Sequence, residues 1–142
     1  MSTLAKAIDI AHTGFKYKTD KGGQPYILHC FRVMNYLHTD DDELKIIAIL
    51  HDVVEDEVCT MNQLRKKGFS QRVCDAVELL THRSIYSYDE YIKVISISPD
   101  ARLVKLADLK DNTDITRLKG LTKKDFDRME KYHKAFTYLS KC

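Results

Sequence analysis

The chain has 142 residues, a length that suits one domain with a substantial hydrophobic core. Its 23 basic and 21 acidic residues leave a formal charge of +2, so electrostatics give no reason to expect DNA or RNA as a partner. No apolar run reaches the roughly 20 residues that a membrane-spanning helix needs, and the N-terminus lacks the apolar core of a signal peptide. The four cysteines are scattered without a CxxC spacing, which indicates reduced thiols in a cytoplasmic protein.

Helical periodicity dominates the chain, and no segment alternates as a half-buried strand would. A first helix is predicted over about residues 3–13, with an apolar face made by Leu4, Ala7, Ile8 and Ala11. After the glycine-containing loop KTDKGGQ, Pro25 suits the first helical position of a second helix that runs to about residue 37. The acids of TDDDE then favour the start of a third helix, which continues through LKIIAILHDVVED.

Capping signals define the second half. Thr60 and Ser70 are predicted to cap two helices, the first of them ended by Gly68. A short helix is expected around YDEYIKVIS, and Ser98-Pro99 starts the helix PDARLVKLADLKDN. Thr122 and Asp125 resemble a capping box before an amphipathic last helix. Its predicted buried stripe is Phe126, Met129, Tyr132, Phe136 and Leu139. The sequence therefore predicts a single all-α domain over residues 1–142, a compact bundle of about seven or eight helices.

The stretch ILHDVVEDEV (residues 49–58) places an imidazole and three carboxylates at the end of an apolar helix. His51, Asp52, Glu55 and Asp56 lie within six positions. Carboxylates oppose the macrodipole at a helix C-terminus, and the apolar neighbours leave few positions for a solvent-facing side. A solvated, frayed helix end explains the stretch about as well as a functional site does. A partly buried carboxylate cluster, in contrast, needs a compensating cation.

Two further residues favour a functional site over a solvated helix end. His29 stands among apolar residues of the second helix, and Asp108 lies on a stripe with Val104, Asn112 and Ile115. A hydrogen-bonded core histidine and a salt-bridged aspartate are the ordinary alternatives. Together, two imidazoles and two carboxylates on three helices form an N/O ligand set that suits a divalent ion such as Mn, Fe or Zn. Glu55 and Asp56 would be extra carboxylates that orient or deprotonate a water molecule.

The order H…HD…D resembles that of the HD-domain metal-dependent phosphohydrolases. The motifs GGQPYILH, ILHDVVED and VKLADLKDN are closest to the small alarmone hydrolases and to the hydrolase domain of the stringent-response Rel/Spo enzymes, over about residues 4–118. The resemblance implies the HD-domain fold and removal of the 3′-pyrophosphate from (p)ppGpp with one divalent ion, Mn first. It also implies that the metal ligands are His29, His51, Asp52 and Asp108.

The same resemblance assigns catalytic and substrate-binding roles. Glu55 and Asp56 match the family's catalytic pair, which activates the attacking water, and Asn112 matches an asparagine that holds the nucleotide. Tyr17 and Lys18 occupy the place of the family's Arg-Lys pair, in a loop about three residues longer. Lys18 can meet a phosphate and Tyr17 can stack on a base, but a tyrosine cannot supply the donors of a guanidinium.

A second departure from the family lies in the last motif, where Leu109 replaces a basic residue and Lys110 follows it. These changes do not affect the candidate metal ligands or the two carboxylates that act on water. They leave the identity of the nucleotide undecided. His82 and Arg83 suit either a second wall of the substrate pocket or a surface loop. The alternatives are therefore hydrolysis of another nucleotide, such as a nucleoside monophosphate, a dNTP or a cyclic nucleotide, and a sensor that binds metal or nucleotide without turnover. The oligomeric state is open.

Overall fold

The structure is a computed structural model that describes residues 3–142, and its regular elements in that range are helices. They are α1 (Leu4–Gly14), α2 (Ile27–Tyr36), α3 (Asp42–Leu50), α4 (Met61–Lys66), α5 (Gln71–Leu80), α6 (Tyr88–Ile97), α7 (Pro99–Asn112), a 3-10 turn (Ile115–Arg117) and α8 (Lys123–Ser140). Between residues 3 and 142, strand-type pairing is limited to one isolated bridge, which joins Thr19 and Pro25. The predicted all-α fold is confirmed. Within the described range, no helix is both long and apolar enough to cross a bilayer.

The third helix forms the centre of the bundle. It packs against α1, α2, α5 and α7, and six of its nine residues, from Leu44 to Leu50, are buried. A helix that is apolar on nearly all sides belongs in the interior. His51, which directly follows its C-terminal end, is therefore buried, and Asp52 is half-buried. The solvated helix end that the sequence left open is wrong for these two residues, whereas Glu55 and Asp56 are exposed.

The predicted caps are present. Thr60 with Gln63 and Thr122 with Asp125 form capping boxes, and Ser70 and Ser98 accept bonds from the backbone of the first turns that follow them. Gly68 has φ +88°, the left-handed conformation that ends a helix and that glycine adopts without strain. These local signals fix where four of the helices begin.

The second helix begins at Ile27, so the placement of Pro25 at its first position was wrong. Pro25 takes part in the bridge to Thr19, and the Tyr26 N–H donates to the carbonyl of Lys18 at 2.9 Å. These bonds hold the loop residues 18–26 as a tight hairpin-like arch. The arch carries Lys18 back over the start of α2.

The third helix ends at Leu50, and the predicted continuation to residue 56 was wrong. The Val53 N–H donates to the Leu50 carbonyl at 3.1 Å, a tighter spacing than the α-helical one, and turns follow through residue 57. His51 Nδ1 also lies 2.6 Å from the Ala48 carbonyl, which gives that carbonyl a side-chain partner. His51, Asp52, Glu55 and Asp56 therefore lie on a tight turn rather than on a helix.

The buried stripe of the last helix is correct only in part. Leu139 and Ala135 are buried, whereas Phe126 is 58% exposed. Met129, Tyr132 and Phe136 are half-buried. The helix packs on α6 and α7, and its fully buried residues lie in the second half. Phe126, in the first turn, lies beyond this packed region.

Candidate metal centre and active site

Three helices bring the four predicted ligands together. His29 comes from α2, His51 and Asp52 follow the end of α3, and Asp108 comes from α7. One nitrogen or oxygen atom from each of them lies within 4.8 Å of the others. His29, His51 and Asp108 are buried, and Asp52 is half-buried. The cluster thus lies in the interior, with one side directed outward.

Most distances between the side-chain atoms match those around a single ion, and the longer one joins His29 Nε2 to Asp52 Oδ2 at 3.8 Å. His29 Nε2 lies 3.0 Å from Asp108 Oδ1 and 3.4 Å from His51 Nε2. His51 Nε2 lies 3.0 Å from Asp52 Oδ2 and 3.3 Å from Asp108 Oδ1. Atoms that each bind one metal at about 2.1 Å lie about 3.0–3.4 Å apart in octahedral or tetrahedral arrangements. The residues therefore fit a divalent ion.

Each histidine is oriented by an acceptor on its other nitrogen. His51 Nδ1 lies 2.6 Å from the Ala48 carbonyl, and His29 Nδ1 lies 2.6 Å from Asp111 Oδ2. A carbonyl and a carboxylate can only accept, so each Nδ1 must carry the hydrogen. In the neutral rings the lone pair is then on Nε2, the atom directed into the cluster. This is the arrangement that metal-binding imidazoles adopt.

The titration behaviour reflects a buried cluster of opposite charges. Burial lowers the pKa of His51, but the charges of Asp52 and Asp108 outweigh it and hold the pKa well above its usual range. For Asp108, burial raises the pKa, and the nearby Lys105 and His51 lower it well below its usual range. Without a metal, protons on the imidazoles balance the carboxylates. A divalent ion would compete with those protons.

Three residues of the cluster, His29, Asp52 and Asp108, form the floor of an open cavity of about 440 Å³, whereas the buried His51 does not line it. Its lining includes Lys18, Lys21, Tyr26, Glu55, Asp56, Lys105, Asn112, Asp114, Arg117, Arg128 and Tyr132. Lysine and arginine side chains thus share the lining with carboxylates, and Lys18, Lys105 and Arg117 each pair with one of those carboxylates. The cavity has room for a nucleotide, and its cations are groups that phosphates bind.

Glu55 and Asp56 lie at the edge of this floor with different partners. Glu55 Oε1 accepts a bond from the His82 N–H at 2.7 Å, and burial raises the pKa of the Glu55 carboxyl above its usual range. Asp56 Oδ2 pairs with Lys18 Nζ at 2.8 Å. The same Lys18 ammonium lies 4.3 Å from the centre of the Tyr26 ring. Burial thus makes Glu55 easier to protonate than a fully exposed glutamate, and Lys18 pairs with Asp56.

Asp108 has two polar partners besides the histidines. Asn112 Nδ2 donates to Asp108 Oδ1 at 3.0 Å, and Lys105 Nζ lies 2.9 Å from Asp108 Oδ2. The salt bridge that the sequence offered as the ordinary alternative for Asp108 is thus present beside the histidine contacts. Asn112 lines the cavity as well as fixing Asp108.

The remaining predicted residues lie farther from the cluster. Tyr17 is 90% exposed and does not line the cavity. His82 stacks on Tyr91, with ring centres 4.6 Å apart, and its Nε2 lies 2.9 Å from the Tyr86 carbonyl. His82 and Arg83 line a separate, shallower cavity of about 410 Å³ that also touches Glu55.

Three residues whose contacts support the site were missed from the sequence. The Tyr26 hydroxyl donates to Asp52, Lys105 pairs with Asp108, and the fully buried Asp111 contacts both His29 and Arg32. Asp111 follows Asp108 by three residues, as Arg32 follows His29. This repeated one-turn spacing was the available signal, because residues three apart share a helix face.

The buried cluster of two histidines and two aspartates is the one that the resemblance of the motifs implied. No protein-family profile matches the chain. Over 119 residues it is 31% identical to a guanosine-3′,5′-bis(diphosphate) 3′-pyrophosphohydrolase of Aquifex aeolicus (strain VF5). The match covers 77% of this chain but only 17% of that protein, so the chain resembles one segment of a much longer enzyme.

A solved structure has a similar fold. It is described as a metazoan ortholog of SpoT that hydrolyzes ppGpp and plays a role in starvation responses. The two structures superpose with a TM-score of 0.79 at 24% sequence identity, over 98% of this chain and 85% of the other. The chain therefore has the fold of an HD-type alarmone hydrolase, and the resemblance read from its motifs is confirmed.

Proposed function

We propose that this protein is a cytoplasmic, metal-dependent phosphohydrolase that removes the 3′-pyrophosphate from (p)ppGpp, with residues 1–142 acting as a single HD domain. The observation that carries the proposal is the buried cluster, in which His29 Nε2 and His51 Nε2 lie 3.4 Å apart beside an open cavity whose lining includes lysines and arginines. The similarity to a ppGpp pyrophosphohydrolase supports the choice of substrate.

In this proposal His29, His51, Asp52 and Asp108 hold one divalent ion, Mn first, with Fe and Zn as alternatives. When bound, the ion would polarise phosphoryl oxygens and lower the pKa of water at the site. The Tyr26 hydroxyl donates to Asp52 and thereby fixes that carboxylate. Asn112 and Lys105 do the same for Asp108.

Glu55 and Asp56 act on the attacking water. Burial raises the pKa of Glu55, which brings the carboxylate closer to the pKa that suits a general base near neutral pH. Glu55 takes the proton of the water, while Asp56, held by Lys18 at 2.8 Å, orients it. The water oxygen bonds to the phosphorus next to the ribose 3′ oxygen, and the bond between that phosphorus and that oxygen breaks. The 3′ oxygen gains a proton, and the products are pyrophosphate and GDP or GTP.

The substrate contacts follow from the lining of the cavity. Lys18 stands where it can neutralise a phosphate as well as hold Asp56, and Asn112 faces the same space for the sugar. Stacking of Tyr17 on the base stays a prediction, and its exposed ring would have to move to reach the cavity.

The test is a substrate panel with purified protein and added Mn: ppGpp, GDP, GTP, dNTPs, nucleoside monophosphates and a 2′,3′-cyclic nucleotide. We expect pyrophosphate and GDP from ppGpp, and loss of this activity in Asp52→Ala. Turnover of GTP or dNTPs but not ppGpp would refute the alarmone assignment while keeping the hydrolase.

Another nucleotide is the second candidate, and the placement of Tyr17 favours it. The position that corresponds to an arginine in alarmone hydrolases is here a tyrosine outside the cavity, so guanine recognition lacks that contact. A third candidate is a sensor that binds metal or nucleotide without turnover. Glu55 and Asp56 argue against it, because a binding module does not need a raised-pKa carboxylate beside the metal ligands. Tight binding of a nucleotide with no product in the panel would favour the sensor.

A further inference from the structure

We propose that Asp111 is a positioning residue for the metal site: its carboxylate holds His29 in the tautomer and orientation that direct Nε2 at the ion. The proposal rests on the metal-dependent function proposed above. Asp111 is not one of the motif residues that the family resemblance assigns to the site. It lies on the face of α7 that also carries Asp108, one turn away.

The contact between Asp111 and His29 is short and buried. Asp111 Oδ2 lies 2.6 Å from His29 Nδ1, and both side chains are at most 2% exposed. A charge-assisted bond of this length is among the stronger ones in proteins. Since the carboxylate can only accept, His29 must keep its hydrogen on Nδ1. Nε2 of the neutral ring is then free to bind, 3.0 Å from Asp108 Oδ1.

Two arginines hold Asp111 from the other side. Arg32 Nε donates to Asp111 Oδ1 at 2.7 Å, and Arg32 NH2 donates to Oδ2 at 3.1 Å. Arg117 NH2 lies 3.5 Å from Oδ2 and donates to the Asp111 carbonyl at 2.9 Å. This fork fixes the plane of the carboxylate. His29 therefore meets an acceptor that cannot rotate away.

The same arginines connect the positioning residue to the loop that carries Lys18. Arg117 NH1 lies 2.9 Å from Asp20 Oδ2. Asp20 Oδ1 in turn accepts from the backbone N–H groups of Gly22 and Gln24, both at 2.9 Å. The network thus runs from the loop at the cavity edge, through Arg117, to Asp111 and His29. A purely structural ion pair between Arg32 and Asp111 would not require the histidine as a third partner.

The test compares Asp111→Asn with a matched control on the same helix. Asp100 is also an aspartate of α7 held by two bonds from one arginine, Arg72, at 2.8 and 3.0 Å, but it contacts no histidine. Mn²⁺ affinity is measured by competition with a fluorescent chelator, without any nucleotide. We expect Asp111→Asn to weaken Mn²⁺ binding about 10- to 100-fold and Asp100→Asn to leave it unchanged. An Mn²⁺ affinity of folded Asp111→Asn within twofold of wild type would overturn the proposal.

A measurement on the unaltered protein keeps the proposal testable if the variant does not fold. Long-range ¹H–¹⁵N NMR of the protein loaded with diamagnetic Zn²⁺ reports which ring nitrogen of His29 carries the hydrogen. We expect the hydrogen on Nδ1 and the metal on Nε2, and the reverse assignment would overturn the proposal. Neither readout uses the substrate. If wild type binds Mn²⁺ but hydrolyses no nucleotide, the proposed function fails while the role of Asp111 stands.

Discussion

Nε2 of His29 and Nε2 of His51 face each other at 3.4 Å in the interior of the protein. Each ring already donates through Nδ1, to Asp111 and to the Ala48 carbonyl. Two lone pairs at this distance repel unless a cation lies between or beside them. In the metal-free protein, protons on the imidazoles relieve this repulsion. A divalent ion would relieve it and bind the two carboxylates at the same time.

The first prediction concerns metal and stability. Because an ion that binds only the folded state stabilises it, Mn²⁺ at 100 times its dissociation constant should add about 2.7 kcal/mol to the free energy of unfolding. For a chain of this size that corresponds to a rise in Tm of roughly 5–10 °C. Differential scanning fluorimetry of chelator-treated protein with and without Mn²⁺ measures it. Asp108→Asn should lose the rise and Asp100→Asn should keep it, and equal rises in both variants would contradict the site.

The second prediction concerns pH. The charges of Asp52 and Asp108 raise the pKa of His51, so a proton competes with Mn²⁺ for its ring. Affinity should therefore increase about tenfold per pH unit for each displaced proton. The increase in Tm caused by Mn²⁺ should therefore be small at pH 6 and larger at pH 8. The same scans at several pH values measure it.

The histidine and the aspartate together determine how the stability of the metal-free protein changes with pH. The histidine contribution to metal-free stability is complete below the unfolded pKa and is lost as pH rises through the raised folded pKa. The Asp108 contribution, from a lowered pKa, is present above the unfolded pKa and is lost on acidification. Metal-free stability thus declines above neutral pH, where metal binding is strongest. An Mn²⁺-induced increase in Tm that falls with pH would contradict the cluster.

The third prediction separates catalysis from metal binding. Glu55→Gln keeps the size of the side chain and removes the proton acceptor, so kcat for ppGpp should fall about 10²- to 10⁴-fold. Mn²⁺ affinity should stay near that of wild type, since Glu55 is not one of the four ligands. Glu57→Gln is the matched control, because Glu57 is exposed and does not line the main cavity. A Glu55→Gln enzyme with more than half of the wild-type kcat would remove Glu55 from the mechanism.

The fourth prediction concerns Lys18. Lys18→Met keeps an unbranched side chain but removes the ammonium that pairs with Asp56 at 2.8 Å and lies over the Tyr26 ring. We expect kcat to fall at least about tenfold and KM for ppGpp to rise, since both the orienting carboxylate and a phosphate contact are affected. Steady-state kinetics beside Lys124→Met, an exposed lysine of α8, provide the comparison. Kinetics like those of wild type would show that the pair is a surface contact only.

Local chemistry explains why much of the fold could be predicted. A capping box such as that of Thr122 and Asp125 lies within four residues, so the sequence contains both partners. The candidate ligands were found for a related reason: histidine and aspartate on apolar helices are conspicuous, and their motif spacing resembles that of a known family. The end of α3 was misplaced because the tight turn at Val53 closes through backbone bonds that side-chain periodicity does not encode.

Contacts between distant segments could not be read from the sequence. Asp111 and His29 are 82 positions apart, and Arg32 reaches the same carboxylate across 79. The one-turn spacing of Asp108 and Asp111 places both on one helix face, but the sequence does not show which residues of another helix meet that face. Phe126 shows the converse: its periodicity suited a buried stripe, but the packed part of α8 begins farther along the helix.

The most direct test of the central claim is a titration of activity with metal. Chelator-treated protein is mixed with ppGpp, Mn²⁺ is added in steps, and pyrophosphate and GDP are quantified by chromatography. We predict no turnover without metal and activity that saturates at one Mn²⁺ per chain, with Asp52→Ala inactive throughout. Full turnover in the metal-free protein, or activity that survives in Asp52→Ala, would contradict the account.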